Sequence, residues 1–215
     1  MPIVGVSGSD YVRCRDWADA RADAFLSEFP GAAVSYFPAD APISAVLSAC
    51  QGSLFSPSAV VWWDVADGFG DRVSWQKVAA DVPQSCLLVL RALDSRRVET
   101  LRGQCTDWAH FSAPSSVSQS RERLRWGQQH WGVQVADDSV TEAVSAIARD
   151  LPSFDSLLRA GSLLGVRRIS CSDALWRTYV PSSQAAASLA AAISQGDVTS
   201  AVKSAASCRE NPAMA

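Results

Sequence analysis

The sequence has almost no lysine. Lys77 and Lys203 are the only two in 215 residues, and every other base apart from His110 and His130 is arginine. It also lacks a CxxC pair, a GxxxxGK[ST] loop and a GxGxxG turn. Each absence removes a chemistry. Neither lysine follows a glycine, so no P-loop side chain can reach β- and γ-phosphates, and no nucleotide cofactor is expected. Six scattered cysteines (Cys14, Cys50, Cys86, Cys105, Cys171 and Cys208) and two distant histidines offer no zinc spacing and read as buried free thiols. The start, MPIVGVSGSD, has no cationic region, and no apolar run approaches membrane-spanning length, so a cytoplasmic protein with no membrane partner is expected. A formal net charge of −3 gives no overall attraction for nucleic acid, so any DNA binding by the isolated chain is expected to be weak.

What is present is apolar sequence in an ordered rhythm. With 48% hydrophobic residues the chain can bury a substantial core. The runs IVGVS, AAVSYF, AVVWWDV, CLLVLRAL and WAHFS alternate with helical patterns, which predicts an α/β fold with a mostly parallel sheet. AVVWW and CLLVL are continuous rather than alternating, as strands covered on both faces are. In the first helix, Trp17, Ala24 and Phe25 are expected on the packed face. Strand-rich sequence stops near Phe111, and residues 1–113 form the predicted α/β domain. Residues 114–180 carry three helical patterns divided by Gly132-Val133 and Leu151-Pro152, with Asp137 and Ser153 as expected N-caps, then a shorter helix in SCSDALWRTYV. Residues 181–215 read as two further helical segments separated by Gly196-Asp197.

Several features invite a chemical reading and each has a plainer one. GVSGSD after the first strand is the place where a helix N-terminus can cradle phosphate, but it also reads as a tight turn with Asp10 as N-cap. Asp64 ends the AVVWW strand without an acidic pair or a later lysine, and reads as a solvated carboxylate. Ser7 lies in GVSG rather than GxSxG, and neither histidine falls into a Ser/His/Asp or Cys/His pattern. The eight tryptophans fit core positions, and Arg121, Arg123, Arg125, Arg167 and Arg168 fit a solvated face. A small α/β enzyme with a substrate site near GVSGSD and Asp64 is the alternative function that these residues leave open.

The segment QGSLF, before AVVWWDV, sets two apolar side chains beside a Ser-Pro-Ser loop. On a lone monomer Leu54 and Phe55 would be expected to fold inward as a satellite of the core. The order of QGSLF, AVVWWDV, CLLVL, RRVETL, WAHFS, RDLPSFDSLLRAGSLL and SDALWRTYV with a later Gly-Asp helix resembles the delta subunit of the bacterial DNA polymerase III clamp loader, along nearly the whole chain. That resemblance implies a Walker-less AAA+-like N-terminal domain followed by a small helical domain. It implies a non-hydrolysing accessory subunit that binds and opens the sliding clamp, beside ATP-hydrolysing clamp-loader subunits and with primer-template DNA met through the complex. It assigns clamp binding to Gln51, Ser53, Leu54 and Phe55, with no catalytic residue, cofactor or metal. Family members continue past the Gly-Asp helix into a collar domain; here 181–215 resemble only its start, which fits a short phage-encoded variant or an incomplete piece. A degenerate adaptor that keeps the fold and has lost clamp binding is the third reading.

Overall fold

The computed structural model describes residues 3–65, 75–92 and 101–180. The chain divides into two compact units, Met1–Ala113 and Pro114–Ala215. The first unit holds strands β1 (Ile3–Ser7), β2 (Ala33–Phe37), β3 (Ala59–Asp64), β4 (Cys86–Ala92) and β5 (Asp107–His110), with helices α1 (Tyr11–Glu28), α2 (Ile43–Cys50) and α3 (Trp75–Asp81). The strands form one sheet in the order β2-β3-β4-β1-β5, and every pairing is parallel. Central strands β3 and β4 explain their own composition. Ala59, Val61, Trp63, Cys86, Leu88 and Leu90 pack with Val46 and Cys50 of α2 and with Trp75, Val78 and Ala79 of α3. Val60, Trp62, Leu87 and Val89 point to the opposite face, against Cys14, Ala18 and Ala22 of α1. A strand covered on both sides has no polar face to alternate with.

The packed stripe of α1 is made of small residues at i, i+4 and i+8. Ala24, expected on that face, is exposed, whereas Trp17 and Phe25 do pack against it. Cys14, Ala18 and Ala22 are small enough to let the helix lie close to the sheet, and the larger aromatics pack at the edge of that stripe. Asp10 caps α1 as expected, accepting from the Arg13 N–H at 3.3 Å. Trp62, Trp63, Trp75 and Trp176 are buried and the other four tryptophans half-buried, in keeping with core roles.

The second unit holds α4 (Val117–Trp131), β6 (Gln134–Val135), α5 (Val140–Arg149), α6 (Leu151–Leu163), β7 (Arg168–Ile169) and α7 (Ala174–Tyr179). The short parallel pair β6-β7 was not expected beyond Phe111; two residues are too few to carry a strand period. Both expected caps shift. Asp137 opens a 3-10 turn, Asp137–Ser139, ahead of α5. Asp150, not Ser153, caps α6. Its carboxylate accepts the Ser153 N–H at 3.1 Å and the Ser153 hydroxyl at 2.7 Å. The division expected at Leu151-Pro152 falls one residue earlier, at Asp150 between α5 and α6, and Leu151-Pro152 forms the first turn of α6, where proline loses no intrahelical hydrogen bond.

The solvated-face reading holds for Arg121, Arg125, Arg167 and Arg168, which are exposed, and fails for Arg123. Arg123 is buried between α4 and α6, where its Nη2 donates to both Asp155 carboxylate oxygens at 2.7 and 2.6 Å. Its guanidinium also lies 4.3 Å from the Trp126 ring centroid. The RRVETL segment up to Thr100, Cys208 and all of 181–215 lie outside the described residues. Of the other cysteines, Cys14, Cys50 and Cys86 are buried free thiols, and Cys105 and Cys171 are free and half-buried. No described helix is long and apolar enough to cross a membrane.

Candidate functional site

Helix α2 ends at Cys50, whose buried thiol hydrogen-bonds to that of Cys86 at the start of β4; this bond, reinforced by burial, pushes the Cys86 thiol far up. The chain must leave the helix and reach β3 within eight residues, 51 to 58. Gly52 makes the turn with φ +68°, and a Cβ there would lie 2.7 Å from the Ser56 carbonyl oxygen and 2.8 Å from that of Pro57. Only glycine fits both the left-handed angle and the space. Ser53 donates its N–H to the Ser56 carbonyl at 2.8 Å, and its hydroxyl accepts the Ser56 N–H at 3.0 Å. The Ser56 hydroxyl is within reach of the Gly31 carbonyl (2.6 Å) and the Ser58 carbonyl (3.0 Å). Gln51 donates its side-chain amide to the Asp81 carbonyl at 3.0 Å, at the end of α3.

These bonds leave two residues outside. Leu54 is 100% exposed and Phe55 98%. The inward satellite expected of a lone monomer is not formed. The reciprocal Ser53–Ser56 bonding faces the backbone toward itself, so the side chains between them have nowhere to go but outward. Exposing two large apolar groups forgoes roughly 1.5–3 kcal/mol of burial for each. The loop is therefore a closed, hydrogen-bonded platform carrying an apolar tip. Gln51 and Ser53 are brought to this platform, but their hydrogen-bonding groups face its frame, and Leu54 and Phe55 form its outer surface. Ser56, which the sequence reading passed over, is the brace; the signal for it was its place opposite Ser53 across the two apolar residues.

A solved structure of similar architecture is the Bacillus subtilis DNA clamp loader delta protein (YqeN), at 9% sequence identity and a TM-score of 0.58, covering 98% of this chain and 68% of that one. The two chains share a fold. No protein-family model matches the sequence, and no curated protein does. At this identity the likeness is one of fold, a parallel sheet with its helices.

The other sites that the sequence raised are occupied by the protein itself. In the GVSGSD turn the Asp10 N–H, placed where a phosphate would be held, donates to the Phe111 carbonyl at 2.9 Å. The Ser7 hydroxyl does meet a histidine, lying 2.8 Å from His110 Nδ1, while His110 Nε2 lies 2.8 Å from the Ser112 hydroxyl. Sequence spacing could not show this, because β1 and β5 become neighbours only in the sheet. Ser7 is nevertheless fully buried, so its oxygen cannot approach a substrate. Burial, with the Asp10 carboxylate adding to it, pushes the nearby Cys14 thiol up to about 11, which keeps it protonated and poorly nucleophilic. Asp64 is paired across the sheet with Arg91, Oδ1 to Nε, at 2.6 Å. Among the described residues no group of three or more His, Cys, Asp or Glu side chains could hold a metal ion.

Proposed function

We propose that this chain is a delta-like clamp-loader subunit that binds a DNA sliding clamp through Leu54 and Phe55 and helps open it, while other subunits hydrolyse ATP. One observation carries the reading: two fully exposed apolar side chains stand on a braced platform, within a fold similar to that of a DNA clamp loader delta protein. In this reading Gln51 and Ser53 hold the platform and the Leu-Phe pair enters a pocket on the clamp. A pre-built tip spends little conformational entropy on binding, which lowers one of the costs of association. A few anchors that fill a desolvated pocket at the centre of an interface carry most of its binding energy.

The test is surface plasmon resonance between the full chain and the sliding clamp of the same genome. We expect saturable binding that weakens by about two to four orders of magnitude in the Leu54→Ala/Phe55→Ala variant, from roughly 3–6 kcal/mol of lost burial. Clamp affinity left unchanged by the double substitution would refute the proposal.

A further inference from the structure

A second exposed apolar pair lies in the Pro114–Ala215 unit. Helix α6 buries Leu151, Phe154, Leu157, Leu158 and Gly161 along one face, yet Leu163 is 79% exposed and Leu164 69%. The end of the helix fixes them there. Gly165, at φ +71°, reverses the chain, the Val166 N–H donates to the Gly161 carbonyl at 2.8 Å, and the Gly165 N–H donates to the Ser162 carbonyl at 3.1 Å. This paired closure satisfies the last carbonyls and holds both leucines outward. Arg159 sits one turn before Leu163 on the same stripe, and Arg167 and Arg168 follow the turn.

The sequence flanking the pair carries charge of one sign. The stretch RAGSLLGVRR, residues 159–168, carries three arginines and no acid, in a chain whose net charge is −3. Neighbouring carboxylates are committed elsewhere: Asp150 caps α6 and Asp155 is buried against Arg123. Arg168 reaches Asp137 at 3.3 Å in a solvent-exposed pair, and neither Arg159 nor Arg167 has a carboxylate partner among the described residues.

We propose that Leu163 and Leu164, with Arg159 one turn before them and Arg167 and Arg168 just after the turn, form a docking surface for an acidic, leucine-bearing amphipathic segment of a partner protein. An apolar centre with a forked cationic rim matches such a segment on both counts. Nucleic acid fits less well, because aliphatic side chains give bases nothing to stack on. An anionic membrane fits less well, because two leucines are not the long apolar face of an interfacial helix. The pair belongs to the other unit from the Leu54-Phe55 tip, and the proposal does not rest on that tip's function.

Fluorescence anisotropy on the full chain tests this, with a fluorescein-labelled synthetic peptide of repeating Glu-Leu-Leu-Glu units as probe. A Lys-Leu-Leu-Lys peptide, labelled oligo-dT and phosphatidylserine-containing vesicles serve as comparisons. The glutamate peptide binds saturably and more weakly as salt is raised, and the lysine peptide does not bind. Leu163→Ser/Leu164→Ser weakens it by about tenfold or more, as loss of a central anchor does. Arg159→Gln/Arg167→Gln weakens it severalfold, and Leu54→Ala/Phe55→Ala leaves it unchanged. Circular dichroism checks that the serine variant is folded; if it is not, the glutamine variant decides. The proposal is overturned if the glutamate peptide fails to bind or ignores both variants. It is also overturned if oligo-dT or vesicles bind through these leucines in its place, or if light scattering shows a dimer that the serine variant abolishes.

Discussion

Gly52-Ser53-Leu54-Phe55 and Gly161-Ser162-Leu163-Leu164 share a sequence pattern and an outcome, two large apolar side chains in water, but they are built differently. In the first the glycine that turns the chain precedes the pair and is enclosed by the carbonyls of Ser56 and Pro57. In the second the turning glycine is Gly165, after the pair, and a Cβ there would meet nothing within 4 Å. The first pair is clamped at both ends by a loop bonded to itself, to α3 and to the residues before β2. The second hangs from a helix end, and its position depends on what holds that helix. Exposure of an apolar pair is thus decided by how the backbone closes around it, not by the pair's own hydrophobicity.

The largest effect that separates the two follows from the support of α6. Asp155 and Arg123 are an ion pair with side chains 5% and 2% exposed, and Asp155→Ala leaves a guanidinium in the interior without its carboxylate. We predict a loss of about 3–5 kcal/mol, as breaking one side of a buried pair costs. The matching pair in the first unit, Asp64–Arg91, is partly exposed, and Asp64→Ala is expected to cost no more than about 1 kcal/mol. Urea unfolding followed by tryptophan fluorescence compares them. Equal losses in the two variants would mean that the second pair is no more dependent on its scaffold than the first.

The glycines give a middle-sized effect. Both Gly52→Ala and Gly165→Ala place a Cβ on a left-handed backbone, at about 1–2 kcal/mol each. Only at Gly52 does the new atom also press on two backbone oxygens, so we expect a total nearer ~3 kcal/mol there, with the loop displaced. Thermal melts of the two variants, read together with clamp binding, check it. Gly165→Ala proving the costlier change would show that the helix end, not the loop, is the tighter closure.

The sheet and the main helices were legible in the sequence because continuous runs such as AVVWW and CLLVL leave little choice of structure or burial. What was hidden depended on neighbours distant in sequence. Arg123 looked like one more solvated base in RERLRW until α6 brought Asp155 against it. Ala24 looked like a packing residue beside Trp17 and Phe25, but the sheet selects the small stripe Cys14, Ala18, Ala22. Of the candidate site, the residues could be named from their order in the chain, whereas their division of labour could not. That Gln51 and Ser53 are spent on the frame is set by the Asp81 and Ser56 carbonyls, one on another helix and one across the tip.

The smallest predicted effect is the most discriminating for the tip itself. Leu54 and Phe55 touch water on nearly all sides, so replacing both with alanine removes no core contact and opens no cavity. Stability should change by no more than about 0.5 kcal/mol, the usual range for surface positions. A core pair would lose about 2–5 kcal/mol for each such change. The same reasoning applies to Leu163→Ala/Leu164→Ala, whose residual contacts are greater, so a slightly larger shift is expected there. Differential scanning calorimetry of both double variants resolves the ranking. A fall of several degrees in the Leu54→Ala/Phe55→Ala variant would mean that the pair spends much of its time folded against the protein. The tip would then be a mobile flap instead of a platform ready-made for a partner's pocket.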